Sequence, residues 1–257
     1  RKITSATRAI MIVHWGGYPV DLDRLRRIQE SASAMYGSAP PVIEDCAHAW
    51  ASTYQGRLLG NHGNLCVFSF QAIKHLTAGD GGLLVLPDET LYRRAKLLRW
   101  FGIDRENRAD FRCESDIAEY GFKFHMNDIN ATIGIANLQI VDDVVKRHRE
   151  NAAYYDEHLR DVPGIRLLER SPDRSSSFWL YTMHVERRDD FVRKLTGAGI
   201  AVSRVHERND IHSCVREYAA MLPNLDRVIR TMICIPTGWW VTPDDREHIV
   251  QTIRAGW

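Results

Sequence analysis

The chain has 257 residues, of which 44% are hydrophobic and 26% are charged, a mixture that excludes a disordered or fibrous protein and allows a buried core. Its 34 lysines and arginines nearly balance 33 aspartates and glutamates, so no net positive field favours nucleic acid or an anionic membrane. No apolar run approaches the roughly 20 residues that a membrane-spanning helix requires. Five scattered cysteines without a CxxC spacing predict neither a disulfide framework nor a zinc site. We therefore expect a cytoplasmic globular protein.

In the first half, short apolar runs alternate with amphipathic stretches, an order typical of strands joined by helices in a mostly parallel sheet. This pattern predicts an α/β fold. Helical spacing predicts helices over residues 21–37 and 88–102, the first with Asp21 as N-cap and Gly37 as C-cap. Nearly continuous apolar runs predict strands over residues 9–14, 41–47, 65–70 and 81–87.

A charged, irregular stretch over residues 105–116 predicts a long surface loop. After it, a 3.6-residue apolar period over residues 126–159 predicts one long helix that bridges two bodies. We expect part of a large α/β domain over residues 1–145 and a smaller α+β domain over residues 146–257. In the smaller domain we predict strands over residues 178–186, 200–206 and 231–238, and helices over residues 189–198, 212–221 and 243–255.

Three side chains with complementary chemistry follow two of the predicted strands. Asp45 closes the strand in VIEDCAHAW, Ser69 ends the next one, and Lys74 follows five residues later, before glycines at 79, 81 and 82. Alone, such an aspartate more often caps a turn, and such a lysine is more often a solvated charge. Together they meet the needs of pyridoxal phosphate (PLP), whose ring nitrogen, phosphate and aldehyde require a carboxylate, hydroxyl or backbone donors, and an amine.

The segments EDCAHA and FSFQAIKHLTAGDGG resemble the DegT/DnrJ/EryC1/StrS family of fold-type I, PLP-dependent nucleotide-sugar aminotransferases. VHWGGYPVDLDRL before them and GFKFHMNDINATIGIANLQ after them resemble further family blocks in the same order. The resemblance covers most of residues 9–160. It implies a homodimer that moves an amino group, with glutamate as donor, to a keto carbon of a nucleoside-diphosphate deoxysugar. Because the chain starts at Arg1 and the cofactor lysine comes early, we expect an N-terminal part of the large domain to be missing.

The resemblance also assigns a role to individual residues. Lys74 becomes the amine that bonds the cofactor aldehyde and later moves the proton between substrate and cofactor carbons. Asp45 becomes the partner of the pyridine nitrogen, and Ala47 lies against the ring. His48 forms a hydrogen bond with the ring oxygen, and Ser69 contacts the phosphate.

One family block departs from its usual form, because GFKFHM stands here where relatives commonly have GYNYRM. That segment is expected to reach the cofactor phosphate of the neighbouring subunit, and either Lys123 or His125 supplies the donor. Two alternatives stay open: a dehydratase that uses the same cofactor, which lysine rather than histidine at position 74 disfavours, and a non-catalytic binding or regulatory homologue. The nearby histidines and cysteines fit no usual ligand spacing, so no metal is predicted.

Overall fold

The computed structural model describes residues 2–106 and 116–257. Most of the loop predicted over residues 105–116 lies outside these described residues, as does Cys113. The strands are β1 (Ile10–Val13), β2 (Val42–Asp45), β3 (Thr53–Tyr54), β4 (Arg57–Leu58), β5 (Leu65–Ser69), β6 (Gly82–Val85), β7 (Ile165–Leu167), β8 (Arg174–Ser175), β9 (Tyr181–Val185) and β10 (Met232–Ile235). The helices are α1 (Leu22–Tyr36), α2 (Glu89–Leu98), α3 (Asp128–Leu138), α4 (Val141–Leu159), α5 (Arg188–Gly197), α6 (Pro223–Thr231) and α7 (Pro243–Arg254).

The first sheet has the strand order β1-β2-β5-β6 within the described residues. β1 pairs with β2 and β2 with β5 in parallel, whereas β6 is antiparallel to β5. The predicted α/β class and the mostly parallel sheet are therefore confirmed. α1 also begins and ends as predicted, because the Asp21 carboxylate accepts a hydrogen bond from Arg24 N at 2.8 Å and Gly37 ends the helix at a φ of +77°.

One face of this sheet carries an exposed apolar row. Val13 pairs with Asp45, Asp45 with Val67, and Val67 with Leu84, so these four residues lie side by side across the strands. Their side chains share one face because residues at the same level of neighbouring strands point the same way. Val13, Val67 and Leu84 are 46%, 43% and 48% exposed. Asp45 therefore lies within an apolar surface that the described residues leave open to solvent.

The single long helix predicted over residues 126–159 is wrong, since two helices occupy this stretch. The backbone leaves the helical path at Ile140, which has a φ of −116°, and α4 starts afresh with two aspartates in its first turn. Negative charge at that position favours a helix N-terminus. Hydrogen bonds from the Asn130 and Asn137 amides to Ala78 O and Thr77 O hold α3 against the turn that follows Lys74.

A second sheet, in the order β10-β9-β7, is antiparallel throughout the described chain. Helices α4, α5 and α7 contribute side chains to its core, and the small sheet β4-β3-β8 joins residues 53–58 to residues 174–175. This core is built from large, fully buried side chains, which include Tyr155, Leu159, Tyr181, Met183, Phe191, Leu195, Ile233 and Ile253.

Two predictions in this region are wrong. Residues 200–206 form no strand, because only Ser203 pairs with Cys234 and the chain then turns at Val205, which has a φ of +65° and donates its N–H to Ser203 Oγ. Residues 212–221 contain a short 3₁₀ segment, Ser213–Tyr218, instead of an α-helix. The regular helix here is α6, which starts at Pro223 and was not predicted.

Candidate functional site

Asp45, Ser69 and Lys74 lie near one edge of the first sheet. Because β2 and β5 are parallel, their carboxyl ends meet at the same edge. A tight turn then carries Lys74, with Lys74 N donating to Gln71 O at 3.0 Å and Ala78 N donating to Phe70 O at 2.9 Å. The structure therefore brings together the three side chains whose spacing indicated a cofactor site.

The Lys74 amine is partly buried and lies 3.8 Å from the centre of the Trp179 ring. Burial lowers the pKa of Lys74, and the nearby Asp45 charge partly opposes this shift. A lysine with a lowered pKa has more neutral amine at a given pH, and the neutral amine is the nucleophile. The site therefore favours a reactive amine more than a solvated surface would.

The Asp45 carboxylate also organises its own turn, since Oδ1 accepts a hydrogen bond from Ala47 N at 3.0 Å. Asp45 thus caps its turn and also interacts electrostatically with Lys74. Ser69 Oγ accepts from Gln71 N at 3.3 Å, and a hydroxyl can at the same time donate its hydrogen to an anion. Both side chains are held by local hydrogen bonds near the sheet edge.

His48 is buried beneath a group of aromatic rings. Its ring stacks on Trp179 at a centroid distance of 3.8 Å, and Trp15 and His206 lie against it at 6.3 and 5.6 Å. Gly16 N donates to His48 Nδ1 at 3.4 Å, which assigns the ring hydrogen to Nε2. Burial lowers the pKa of His48 to about 3, with smaller contributions from Lys74 and His206. His48 is therefore a neutral hydrogen-bond donor.

Buried neutral histidines predict a loss of stability in mild acid. Burial lowers the pKa of His48, and it does the same for His75 and His148. Below an unfolded pKa of about 6.5, the unfolded chain binds protons that the folded chain excludes, so stability is present above that pH and falls as pH decreases. For His48, whose pKa is about 3, this loss is about 1.6 kcal/mol between pH 6.5 and 5.

Urea unfolding at pH 7, 6 and 5 measures this effect. As a control, we expect His212→Gln, which changes an exposed histidine, to leave the slope of unfolding free energy against pH unchanged. A wild-type free energy that stays constant from pH 7 to pH 5 would contradict the prediction.

Lys123 and His125 lie away from this group. The Lys123 backbone bridges to Trp100, and the His125 ring packs edge-on against the Trp100 ring at 3.8 Å. Within residues 2–106 and 116–257, we find no contact between either side chain and Lys74. Their expected role concerns a neighbouring subunit, so it stays a prediction.

Sequence reasoning missed Trp179 and His206, both of which contact His48. The sequence predicts strands over residues 178–186 and 200–206, which would place both side chains in a sheet. Trp179 Nε1 donates to Ile73 O at 2.9 Å, a contact that joins residues 106 positions apart. No local pattern indicates a contact of this range, although a tryptophan just before a buried strand is a weak signal of a partly exposed contact.

Behind the site, His14 and Glu44 form a fully buried pair. His14 Nε2 donates to Glu44 Oε2 at 2.8 Å, Asn64 donates to Oε1 at 2.6 Å, and His14 Nδ1 accepts from Val20 N at 3.0 Å. With Cys46 they form a trio of potential metal ligands within 4.8 Å of one another, found among the described residues. Because each ring nitrogen and carboxylate oxygen already has a hydrogen-bond partner, we interpret the trio as structural.

No helix in the described part of the chain combines the length and apolar character needed to cross a membrane.

The family model described as the DegT/DnrJ/EryC1/StrS aminotransferase family matches residues 1–254. The crystal structure of AtS13 from Actinomadura melliaura is 57% identical with a TM-score of 0.97, over 100% of this chain and 68% of that one. Sugar aminotransferase CalS13 from Micromonospora echinospora is 52% identical with a TM-score of 0.96, over 100% and 69%. The erythromycin biosynthesis sensory transduction protein EryC1 from Saccharopolyspora erythraea is 31% identical over 100% and 68%. The chain thus spans about two thirds of each relative and belongs to the DegT/DnrJ/EryC1/StrS aminotransferase family.

Proposed function

We propose that this chain takes part in a PLP-dependent aminotransferase reaction in which an amino group passes, with glutamate as donor, to a keto carbon of a nucleoside-diphosphate deoxysugar. The observation that carries the proposal is the partly buried Lys74 amine, whose pKa is lowered, near Asp45 at the carboxyl edge of a parallel sheet. Membership of an aminotransferase family and the similarity to sugar aminotransferase CalS13 support the same chemistry.

The donor set at the sheet edge fits PLP. Asp45 offers an anionic partner for the pyridine nitrogen, Ser69 a hydroxyl for the phosphate, and Lys74 an amine for the aldehyde. His48 carries its hydrogen on Nε2 and would donate it to the ring oxygen, and Ala47, whose N–H bonds to Asp45, would lie against the ring. When bound, PLP supplies an electron sink for the substrate carbon that loses a proton.

In this proposal Lys74 performs two tasks in sequence. Its neutral amine would hold the cofactor through the aldehyde carbon, whose oxygen would leave as water. Once the substrate amine had taken its place, the freed Lys74 Nζ would accept the proton from the substrate carbon and deliver it to the cofactor carbon. A lowered pKa serves both tasks, since the amine must be unprotonated to attack and to act as a base. The negative charge of Asp45 would keep a proton on the pyridine nitrogen.

Asp45 provides a test that leaves the lysine intact. We expect Asp45→Asn to weaken PLP binding about 10- to 100-fold, because the variant loses a charge-assisted hydrogen bond worth about 1.5–3 kcal/mol. Equilibrium dialysis with PLP measures the dissociation constant. Asp80→Asn is the matched control, since Asp80 likewise holds a turn through its carboxylate but is exposed. Equal affinity of Asp45→Asn and wild type would contradict the assignment.

Product analysis separates the two rival functions. Incubation with PLP, glutamate and a keto-deoxysugar nucleotide should give an aminosugar nucleotide and 2-oxoglutarate. Loss of a sugar hydroxyl without 2-oxoglutarate would identify a dehydratase. Absence of PLP binding in dialysis would support a non-catalytic homologue.

We also propose a homodimer. The exposed apolar side chains of α3, Ile129, Ile133, Ile135 and Leu138, support such an interface, and Lys123 or His125 would then reach the cofactor phosphate of the neighbouring subunit. Sedimentation velocity measures the oligomeric state.

We retain the proposed division into residues 1–145 and 146–257. We also place the protein in the cytoplasm, in keeping with the buried thiols of Cys46, Cys66 and Cys234, which form no disulfide.

A further inference from the structure

Three consecutive carbonyl groups in residues 176–178 each accept a side-chain hydrogen bond. In chain order the donors are Arg149 Nε at 3.0 Å, His75 Nε2 at 3.0 Å and His148 Nδ1 at 2.8 Å. Because a carbonyl can only accept, both histidines must carry a hydrogen on the nitrogen involved. We call His75, His148 and Arg149 the carbonyl clamp.

The carbonyl clamp holds a strained backbone. Phe178 has a φ of +53°, a left-handed conformation that is strained for a residue with a β-carbon and persists only where its surroundings enforce it. Burial lowers the pKa of both clamp histidines, so they stay neutral donors at neutral pH. The rings of His75 and His148 also contact each other at 4.4 Å. The clamp therefore fixes the direction in which the chain leaves Phe178.

The residue that follows is Trp179, which meets the turn around Lys74. Its Nε1 donates to Ile73 O, while on the other side of Lys74 the His75 ring donates to Ser177 O. Two hydrogen bonds in opposite directions thus join the turn to the segment and flank Lys74. Between them the Trp179 ring lies 3.8 Å from Lys74 Nζ.

We propose that the carbonyl clamp consists of positioning residues that act through residues 176–178 to press Trp179 against the Lys74 amine and hold that amine in one orientation. The assignment of Lys74 as the reacting amine rests on the proposed function, whereas the contact itself does not. An indole face attracts an ammonium group, so this contact opposes part of the preference for the neutral amine that burial produces. Within the described residues, the titratable groups that interact electrostatically with Lys74 are Asp45, His48 and His75.

The test reads the Lys74 amine directly, without PLP. Reductive ¹³C-methylation labels the six lysines of the chain, and Lys74→Arg identifies the Lys74 signal in a ¹H–¹³C spectrum. In wild type we expect this signal to be shifted upfield by the Trp179 ring. His75→Leu removes one clamp donor, whereas His75→Gln keeps an N–H that can donate to Ser177 O.

We expect the upfield shift of the Lys74 signal to be lost both in His75→Leu and in Trp179→Leu. We also expect His75→Leu to lower the titration midpoint of Lys74 by about half a pH unit or more. His75→Gln and Trp179→Phe should keep most of both effects. A Lys74 signal unchanged in shift and midpoint in His75→Leu would overturn the proposal. If His75→Leu does not fold, Arg149→Met removes another donor and the same two outcomes apply.

A second measurement links the clamp to chemistry. We expect borohydride trapping of PLP on Lys74 to slow about tenfold in His75→Leu. The comparison is made at a pH where Lys74 is fully deprotonated in both proteins, so that a slower reaction reports a misplaced nucleophile. Failure of wild type to bind PLP would overturn the proposed function and leave the spectroscopic result standing, so the two failures are distinguishable.

Discussion

Lys74→Arg is expected to abolish covalent attachment of PLP and to reduce transaminase kcat by at least about 10³-fold. A guanidinium stays protonated at any accessible pH, so it supplies neither a nucleophile nor a base. The guanidinium keeps the electrostatic attraction to Asp45 and the cation–π contact with Trp179. The fold should therefore be preserved. Borohydride reduction followed by peptide mass spectrometry measures attachment, and 2-oxoglutarate formation from glutamate measures turnover.

Lys194→Arg is the matched control, since it makes the same exchange on α5, away from the sheet edge. This control should bind PLP and turn over as wild type does. Stoichiometric trapping of PLP in Lys74→Arg would show that Lys74 is not the residue that bonds PLP. The proposed function would then lose its basis.

Gly17→Ala is expected to destabilise the protein strongly, because the added methyl group has no room beside His48. Gly17 has a φ of +93°, and an added β-carbon would lie 2.5 Å from Ser177 Oγ and 2.8 Å from His48 O. Neither neighbour can move easily, because Ser177 Oγ donates to His48 O and Ser177 N donates to Ser52 Oγ. We expect a loss of about 3–5 kcal/mol in unfolding free energy and a weaker affinity for PLP through displaced His48.

Gly37→Ala separates backbone strain from crowding. Gly37 also has a positive φ, +77°, but its β-carbon would meet nothing within 4 Å. We expect it to cost only about 1 kcal/mol, measured by the same urea titration. If the two variants lose equal free energy, the predicted crowding behind His48 is wrong.

The sheet edge could be predicted because local sequence determines it. Apolar runs that end at Asp45 and Ser69 identify two strands, and parallel pairing brings their carboxyl ends together. Lys74 follows within one turn. The positions of these three residues along the chain thus follow from neighbouring segments, which explains why the resemblance and the pattern of residues lead to the same side chains.

The aromatic residues that surround Lys74 and His48 could not be predicted, because they come from distant segments of the chain. Trp179 and His206 contact His48 although both lie more than 100 positions away from it in the chain. The break between α3 and α4 was missed for a related reason. Apolar spacing continues through Gln139 and Ile140, and spacing alone does not record a single residue that leaves the helical path.

The exposed row of the first sheet has a consequence for the electrostatics of the site. Asp45 lies in that row between Val13 and Val67, so the dielectric constant around its carboxylate depends on what rests on the sheet. Two unit charges 4 Å apart interact by about 1 kcal/mol in water and by about 4 kcal/mol at an effective dielectric constant of 20. An apolar cover would therefore strengthen the hold of Asp45 on a pyridinium and on Lys74 severalfold, without moving an atom of either residue.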